Sequence, residues 1–268
     1  MKNVLTIAGS DSCGGAGIQA DLKTFSALGT YGMSVITAVT AQNTLGVSSI
    51  REMDADIVRD QINCLFDDIK IEAVKIGMVS SIEIIDTIAE CLINRGASNI
   101  IVDPVMVSKS GCHLFKPESK AELIKKLFPL ADVITPNLFE AEVITGEKIK
   151  SVAEMEKAAV RIHEFGAKHV VVKGGCLTAD AVDVMYDGNK FNYLKTLRIN
   201  TKNTHGTGCT FSSAITAYIA RGYTVIEAVK EAKEYIQEAI ENSIELGHGV
   251  GPTNHFIKLY RKAGVLID

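Results

Sequence analysis

The chain lacks any strong excess of charge, any long apolar run, any Cys-x-x-Cys pair, any His-x-x-x-His spacing and any Gly-Lys-Ser/Thr triplet. Each absence removes a class of function. The 28 lysines and arginines nearly balance 32 aspartates and glutamates, for a net charge of −4. No electrostatic footprint for nucleic acid or an anionic membrane follows from such a balance. No stretch approaches the roughly 20 apolar residues that span a bilayer. The opening MKNVLTIAGSDS carries one lysine and then a strand-like run, too short for a signal peptide. The expected location is cytoplasmic. Cysteines stand at Cys13, Cys64, Cys91, Cys112, Cys176 and Cys209, widely and irregularly spaced. Disulfides and structural zinc are therefore not expected, and most of these thiols read as small apolar fillers. The missing triplet excludes a Walker A loop. With no linker, repeat or low-complexity tract, the 268 residues suit one domain spanning 1–268.

What is present alternates. The β-rich runs VLTIAG, MSVITAVTAQ, AVKIG, NIIVDP, DVITPN and HVVVKGG are separated by segments of helical period at 54–69, 81–95 and 151–166. In the first of these, Ile57, Val58, Ile62, Leu65, Phe66 and Ile69 share one face. Gly29, Gly96, Gly166 and Gly222 read as helix-ending residues. A last long helix is expected over 224–245. Alternation of this kind predicts an α/β fold whose mostly parallel sheet is covered by helices on both faces. Asp187-Gly188, between two alternating runs within 181–196, predicts an antiparallel edge hairpin.

In open α/β sheets, ligands bind beyond the carboxyl ends of the strands. The loops there read AGSDSCGGAG, TAQNTLG, KIGMVSS, VDPVMVSKSG, TPNLFE and VKGG. Gly15-Ala16-Gly17-Ile18-Gln19-Ala20 fits the dinucleotide fingerprint G-x-G-x-x-[GA]. The SDSC insertion separates it from the strand, however, and the second strand ends in Ala41-Gln42-Asn43 with no acid for a ribose. The run THGTGCTFSSAITAYIA puts Gly206, Thr207, Gly208 and Cys209 at the mouth of a small-residue helix. Unpaired amides and the helix dipole favour an anion there, so the four residues form a candidate hole for a phosphoryl group in flight. The same glycines equally serve close packing of helix on sheet. Asp103 and Glu140 close neighbouring strands and suit Mg²⁺, a hard ion that takes few protein carboxylates. As alternatives, Asp103 reads as a helix cap and Glu140 as a solvated position. Lys173, ending an otherwise apolar strand, and Lys233, on the last long helix, are candidate phosphate ligands.

Taken together, LTIAGSDSCGGAGIQADLKTF, VITAVTAQNT, KIGM, VDPVM, TPNLFEAE, VKGG, NTKNTHGTGCT and GVGPTNHF resemble the vitamin-kinase branch of the ribokinase superfamily. Within it, the hydroxymethylpyrimidine/phosphomethylpyrimidine kinases of thiamine biosynthesis are the best match. The pieces span nearly the whole chain in order. The resemblance implies a ribokinase-like three-layer α/β/α sandwich. It also implies ATP-dependent, Mg²⁺-assisted transfer to a hydroxymethyl group, and a homodimer. Most of the superfamily has an aspartate where this chain has Cys209, and cysteine there is typical of the thiamine-pathway and related pyridoxal kinases. By the same resemblance Gln42 pairs with an aminopyrimidine, Gly9 and Asp21 line the substrate pocket, and Met78 packs on the ring. Asn137 and Glu140 fall on the ATP and metal side, and Lys173 and Lys233 near the nucleotide phosphates. A helix N-terminus lowers a thiol's pKa, which makes Cys209 a candidate base. The scheme requires Gln42 and Cys209 to share one cavity. The competing readings are a pyridoxal/pyridoxine kinase, a vitamin- or nucleotide-binding protein without turnover, and an NAD-linked oxidoreductase. The segment 107–113 is a candidate lid.

Overall fold

Short β-branched runs become strands where both faces can be buried, and the amphipathic segments between them cover those faces. A computed structural model describes residues 1–106, 118–175, 177 and 180–265 of the chain. Its strands are β1 (Lys2–Asp11), β2 (Thr30–Asn43), β3 (Gly46–Glu52), β4 (Ala73–Ile76), β5 (Ile100–Val102), β6 (Val133–Ile134), β7 (His169–Lys173), β8 (Asp180–Tyr186) and β9 (Phe191–Leu197). They form one sheet in the order β3-β2-β1-β4-β5-β6-β7-β8-β9. From β2 to β7 all neighbours are parallel. The expected hairpin is β8–β9, antiparallel at one edge. A second antiparallel strand, β3, closes the opposite edge and was not anticipated. Its segment GVSSIRE is mostly solvent-exposed, so no apolar alternation marks it. β1 also runs on to Asp11, past the Gly9 at which the sequence pattern ends it.

The helices are α1 (Gly17–Ala27), α2 (Ala55–Asp68), α3 (Ile82–Asn94), α4 (Ser119–Glu122), α5 (Leu138–Thr145), α6 (Val152–His163), α7 (Thr207–Ala220), α8 (Val225–Glu241) and α9 (Ile257–Lys262). On one face of the sheet, Leu5, Ile7, Val102, Ile134 and Val172 pack with Ile62, Ile85, Ile88, Met155 and Ile162 of α2, α3 and α6. On the other, Ile101, Val133 and Val171 pack with Phe211, Ile215, Val229 and Ile236 of α7 and α8. Burial on both faces is why these strands read as continuous apolar runs.

Local capping sets the boundaries. The Ser81 and Ser151 side chains accept from the amides of Ile84 and Glu154, and Thr224 with Glu227 forms a capping box. Gly29, Gly96, Gly166 and Gly222 all take positive φ. The last long helix stops at Glu241, short of the expected 245, because the glycine-rich 247–251 segment folds back over the β2–β3 turn. There the Val250 amide donates to the Thr44 carbonyl at 2.9 Å. Among the described residues, no helix is long and apolar enough to cross a membrane. The candidate lid at 107–113 lies outside the described residues.

Candidate active site

β1 has β2 on one side and β4 on the other, so the sheet's connections reverse direction there, and the carboxyl ends of the strands open a crevice. A cavity of about 330 Å³ occupies it. The carboxyl ends of the six parallel strands contribute. β1 gives Gly9, Ser10 and Asp11; β2 gives Thr40 and Gln42; the loops after β4, β5 and β6 give Met78, Asp103 and Asn137; β7 gives Lys173. Glu140 of α5 also borders it, and Gly206, Thr207, Gly208 and Cys209 form the floor at the start of α7. Gln42 and Cys209 therefore line one cavity.

The first turn of a helix leaves its leading amides without intrahelical partners. In α7 these belong to Thr207, Gly208 and Cys209. The Thr207 amide turns back to the Thr204 carbonyl at 3.3 Å, which leaves Gly208 and Cys209 best placed to meet an anion. Gly206 is the N-cap with φ +78°, and a Cβ there would run into the Gly15 carbonyl. Its lack of a side chain thus serves the packing of two loops as well as ligand approach. Gly17, the first residue of α1, lines the same cavity, and its backbone favours the thiolate form of Cys209. The starts of α1 and α7 thus border one cavity. Burial nevertheless pushes this thiol up to about 11; Lys75 pulls it down, while Asp21 and Asp103 push it up. The expected lowering at a helix N-terminus is overturned by desolvation.

Lys173 donates to Asp103 Oδ1 at 2.9 Å, and Thr135 donates to the same oxygen at 3.0 Å. Ser212 of α7 reaches Asp103 Oδ2 at 3.3 Å. Burial would raise the Asp103 pKa, yet Lys173 and Lys75 hold it below the ordinary carboxylate value. Lys173 is pushed above its usual value: burial opposes the charge, but Asp103 and Glu140 outweigh it. Asn137 caps α5, and Glu140 completes the capping box by accepting from the Asn137 amide at 2.8 Å. Burial pushes Glu140 up to about 7, against the pull of Lys173. Glu140 is thus a buried cap residue, not a solvated one.

Two expected site residues fall elsewhere. Asp21 does not line the cavity: it is fully buried, bonded to Lys75 at 2.9 Å, Thr6 at 2.6 Å and Ser213 at 2.6 Å. A buried carboxylate needs such partners, and here they bolt β1, α1, β4 and α7 together. Lys233 is likewise buried on α8, paired with Asp183 at 2.7 Å and away from the cavity. In exchange, two residues not singled out from the sequence are central. Asp11 accepts from the amides of Cys13, Gly15 and Ala16 at 2.8, 3.0 and 2.8 Å, and His205 Nε2 lies 2.8 Å from it. Burial works against its charge, but His205 and the Ala16 and Cys13 amides hold its pKa below normal. The signal was available, since Asp11 sits in the SDSC insertion and His205 within THGTGCT. Their contact spans 194 positions and left no local pattern.

The phosphomethylpyrimidine kinase family model matches residues 11–254. A hydroxymethylpyrimidine/phosphomethylpyrimidine kinase from Rhizobium meliloti is 51% identical, covering 96% of this chain and 98% of its own. The thiamine biosynthesis bifunctional protein of Geobacter sulfurreducens is 50% identical over 95% of this chain, which spans about half (52%) of that longer protein. Among solved structures, the ADP complex of Bacillus subtilis pyridoxal kinase superposes with a TM-score of 0.89 at 44% identity, covering 95% of this chain and 97% of that one. The matched segment includes both halves of the cavity wall, the loop from Asp11 and the helix mouth at Cys209. The chain belongs to the phosphomethylpyrimidine kinase family.

Proposed function

We propose that the chain is a single-domain kinase that uses ATP to phosphorylate the hydroxymethyl group of 4-amino-5-hydroxymethyl-2-methylpyrimidine, and then converts the monophosphate to the diphosphate. The observation that carries this reading is the shared cavity, with the carboxamide of Gln42 at one end and the amides of Gly208 and Cys209 at the other. A carboxamide offers an acceptor beside a donor, matching a ring nitrogen beside an exocyclic amine. Met78 and Gly9 form the wall for the ring, since Met78 Cε occupies the space a Gly9 Cβ would need.

In the first step the substrate alcohol oxygen bonds to the γ-phosphorus of ATP. The bond to the β–γ bridging oxygen breaks, ADP departs, and the alcohol proton passes to the thiolate form of Cys209, the minor form of this buried group at neutral pH. In the second step a phosphate oxygen of the monophosphate is the nucleophile. The transition state of phosphoryl transfer is loose, so positioning and charge stabilisation do most of the work. The helix-mouth amides stabilise the transferring group, and Lys173 and Asn137 border the side assigned to the nucleotide.

Asp103 and Glu140 both face the cavity with oxygens already engaged by Lys173, Thr135 and the Asn137 amide. That donor set fits Mg²⁺ held through its own waters, the ion's usual habit. When bound, the ion would neutralise phosphate charge between donor and acceptor. A homodimer and a cytoplasmic location belong to the same proposal. The exposed Val39, Leu45 and Ile50 on the β2–β3 edge support the dimer, which sedimentation would test.

Pyridoxal phosphorylation is the second reading, supported by the likeness to pyridoxal kinase. ADP release with the aminopyrimidine and with pyridoxal, measured side by side, separates the two. Faster turnover of the pyrimidine supports the first; preference for pyridoxal overturns it; tight binding without ADP release overturns both.

A further inference from the structure

The carboxamide of Gln42 touches two other polar side chains of the cavity wall. One end lies 3.4 Å from His205 Nε2, and the other lies 3.1 Å from Thr40 Oγ1. The oxygen and nitrogen of a carboxamide have the same shape, so hydrogen bonding decides which end is which. His205 Nε2 is 2.8 Å from Asp11 Oδ2. An ionised carboxylate only accepts, so His205 Nε2 carries the proton and is a donor. Thr40 has one hydroxyl proton, and the Ser10 carbonyl lies 3.0 Å from its oxygen. With the amide nitrogen toward His205, two N–H groups would face each other, with no acceptor between them. With the oxygen toward His205, the one Nε2 proton is shared between Asp11 at 2.8 Å and Gln42 at 3.4 Å, and each contact pairs a donor with an acceptor. Gln42 then donates to Thr40, and Thr40 donates to the Ser10 carbonyl.

We propose that Asp11, His205 and Thr40 are positioning residues that hold the Gln42 carboxamide with its oxygen on the His205 side, and so set which way round the pyrimidine binds. This rests on the aminopyrimidine reading above. His205 immediately precedes Gly206, so its side of the cavity is the helix-mouth side. The fixed carboxamide offers its free N–H near Thr40 and its free lone pair near His205. Around the ring the order is acceptor nitrogen, exocyclic amine, hydroxymethyl. The nitrogen therefore falls near Thr40, the amine near His205, and the hydroxymethyl next in line, toward Cys209. The reversed amide would turn the hydroxymethyl away from the helix mouth. The rest of Asp11's bonding keeps this frame rigid, because its oxygens also gather the amides of Cys13, Gly15 and Ala16.

The test compares the 4-amino substrate with its 4-oxo analogue, which presents a ring N–H beside a carbonyl. The wild-type amide meets that analogue donor to donor and acceptor to acceptor, and is expected to reject it by at least about 10²-fold in kcat/KM. In His205→Phe the amide is free to turn over and accept the analogue. The selectivity ratio is expected to shrink by about tenfold or more, the worth of one oriented hydrogen bond, with KM for ATP unchanged. General damage would lower both substrates by the same factor, and an unchanged ratio overturns the proposal. Thr40→Val keeps the side-chain shape and is expected to shrink the ratio in the same direction. It decides the matter if His205→Phe fails to fold. Failure of the wild type to phosphorylate the 4-amino compound at all would overturn the functional reading first, before any variant is made.

Discussion

Cys209 shows how competing physical effects settle at a single residue. Its place at a helix mouth, legible in the sequence, argues for a reactive thiolate, but burial beside two carboxylates pushes it up to about 11. The thiol is therefore neutral at pH 7, and its thiolate fraction rises about tenfold per pH unit until that value is reached. If it takes the substrate proton, kcat should climb between pH 7 and 10. We expect Cys209→Ala to lower kcat by about 10²-fold and to abolish that climb, as pH-dependent ADP release would show. A loss of only a few fold, with the climb retained, would leave the amides as the principal catalysts. At this scale the sequence revealed residues whose meaning is local: a glutamine ending a strand, a lysine ending another, a cysteine after two glycines. Pairs such as Asp11 with His205 stayed hidden, since neither partner is unusual alone.

At the scale of the element, α7 and the loop from Asp11 to Gly17 are fitted to each other backbone against backbone. Gly206 has φ +78°, and the Gly15 carbonyl fills the space beside its Cα. Gly206→Ala is expected to cost about 1–3 kcal/mol through left-handed strain and displacement of that carbonyl, measured by urea unfolding. A variant as stable as wild type would show that the loop yields easily. Helix positions were readable because periodicity and caps coincide, as at Ser81 and Ser151. β3 was not, because an exposed edge strand needs no apolar face. The short α9 was missed for a related reason, since six residues hardly exceed one turn and a half.

Across the whole molecule, the site depends on a buried ion pair that never touches the cavity. Asp21 and Lys75 are both fully inaccessible, and together with Thr6 and Ser213 they fasten the two helix mouths to the sheet. Asp21→Ala would strand the Lys75 ammonium in the core, at an expected cost of about 3–5 kcal/mol. The paired change Asp21→Asn with Lys75→Met should cost clearly less, because no lone charge remains. Calorimetric melting of the two proteins tests this, and equal losses would contradict it. The layered architecture was legible from alternation alone, since it follows from which faces must be covered. The role of Asp21 was not, because an acid in an amphipathic helix looks the same whether it faces a ligand or a lysine from another strand.

The two sides of the cavity differ in how far they can yield. At Gly206 it is main chain against main chain, and an added atom displaces the Gly15 peptide group; at Gly15 an added atom runs into the His205 ring. Opposite, the tight contact at the Gly9 wall is the tip of Met78, an unbranched thioether able to swing aside, with the Ala38 carbonyl at ordinary contact distance. Efforts to broaden this enzyme toward bulkier heterocycles should therefore trim Met78 and leave the glycine seam intact.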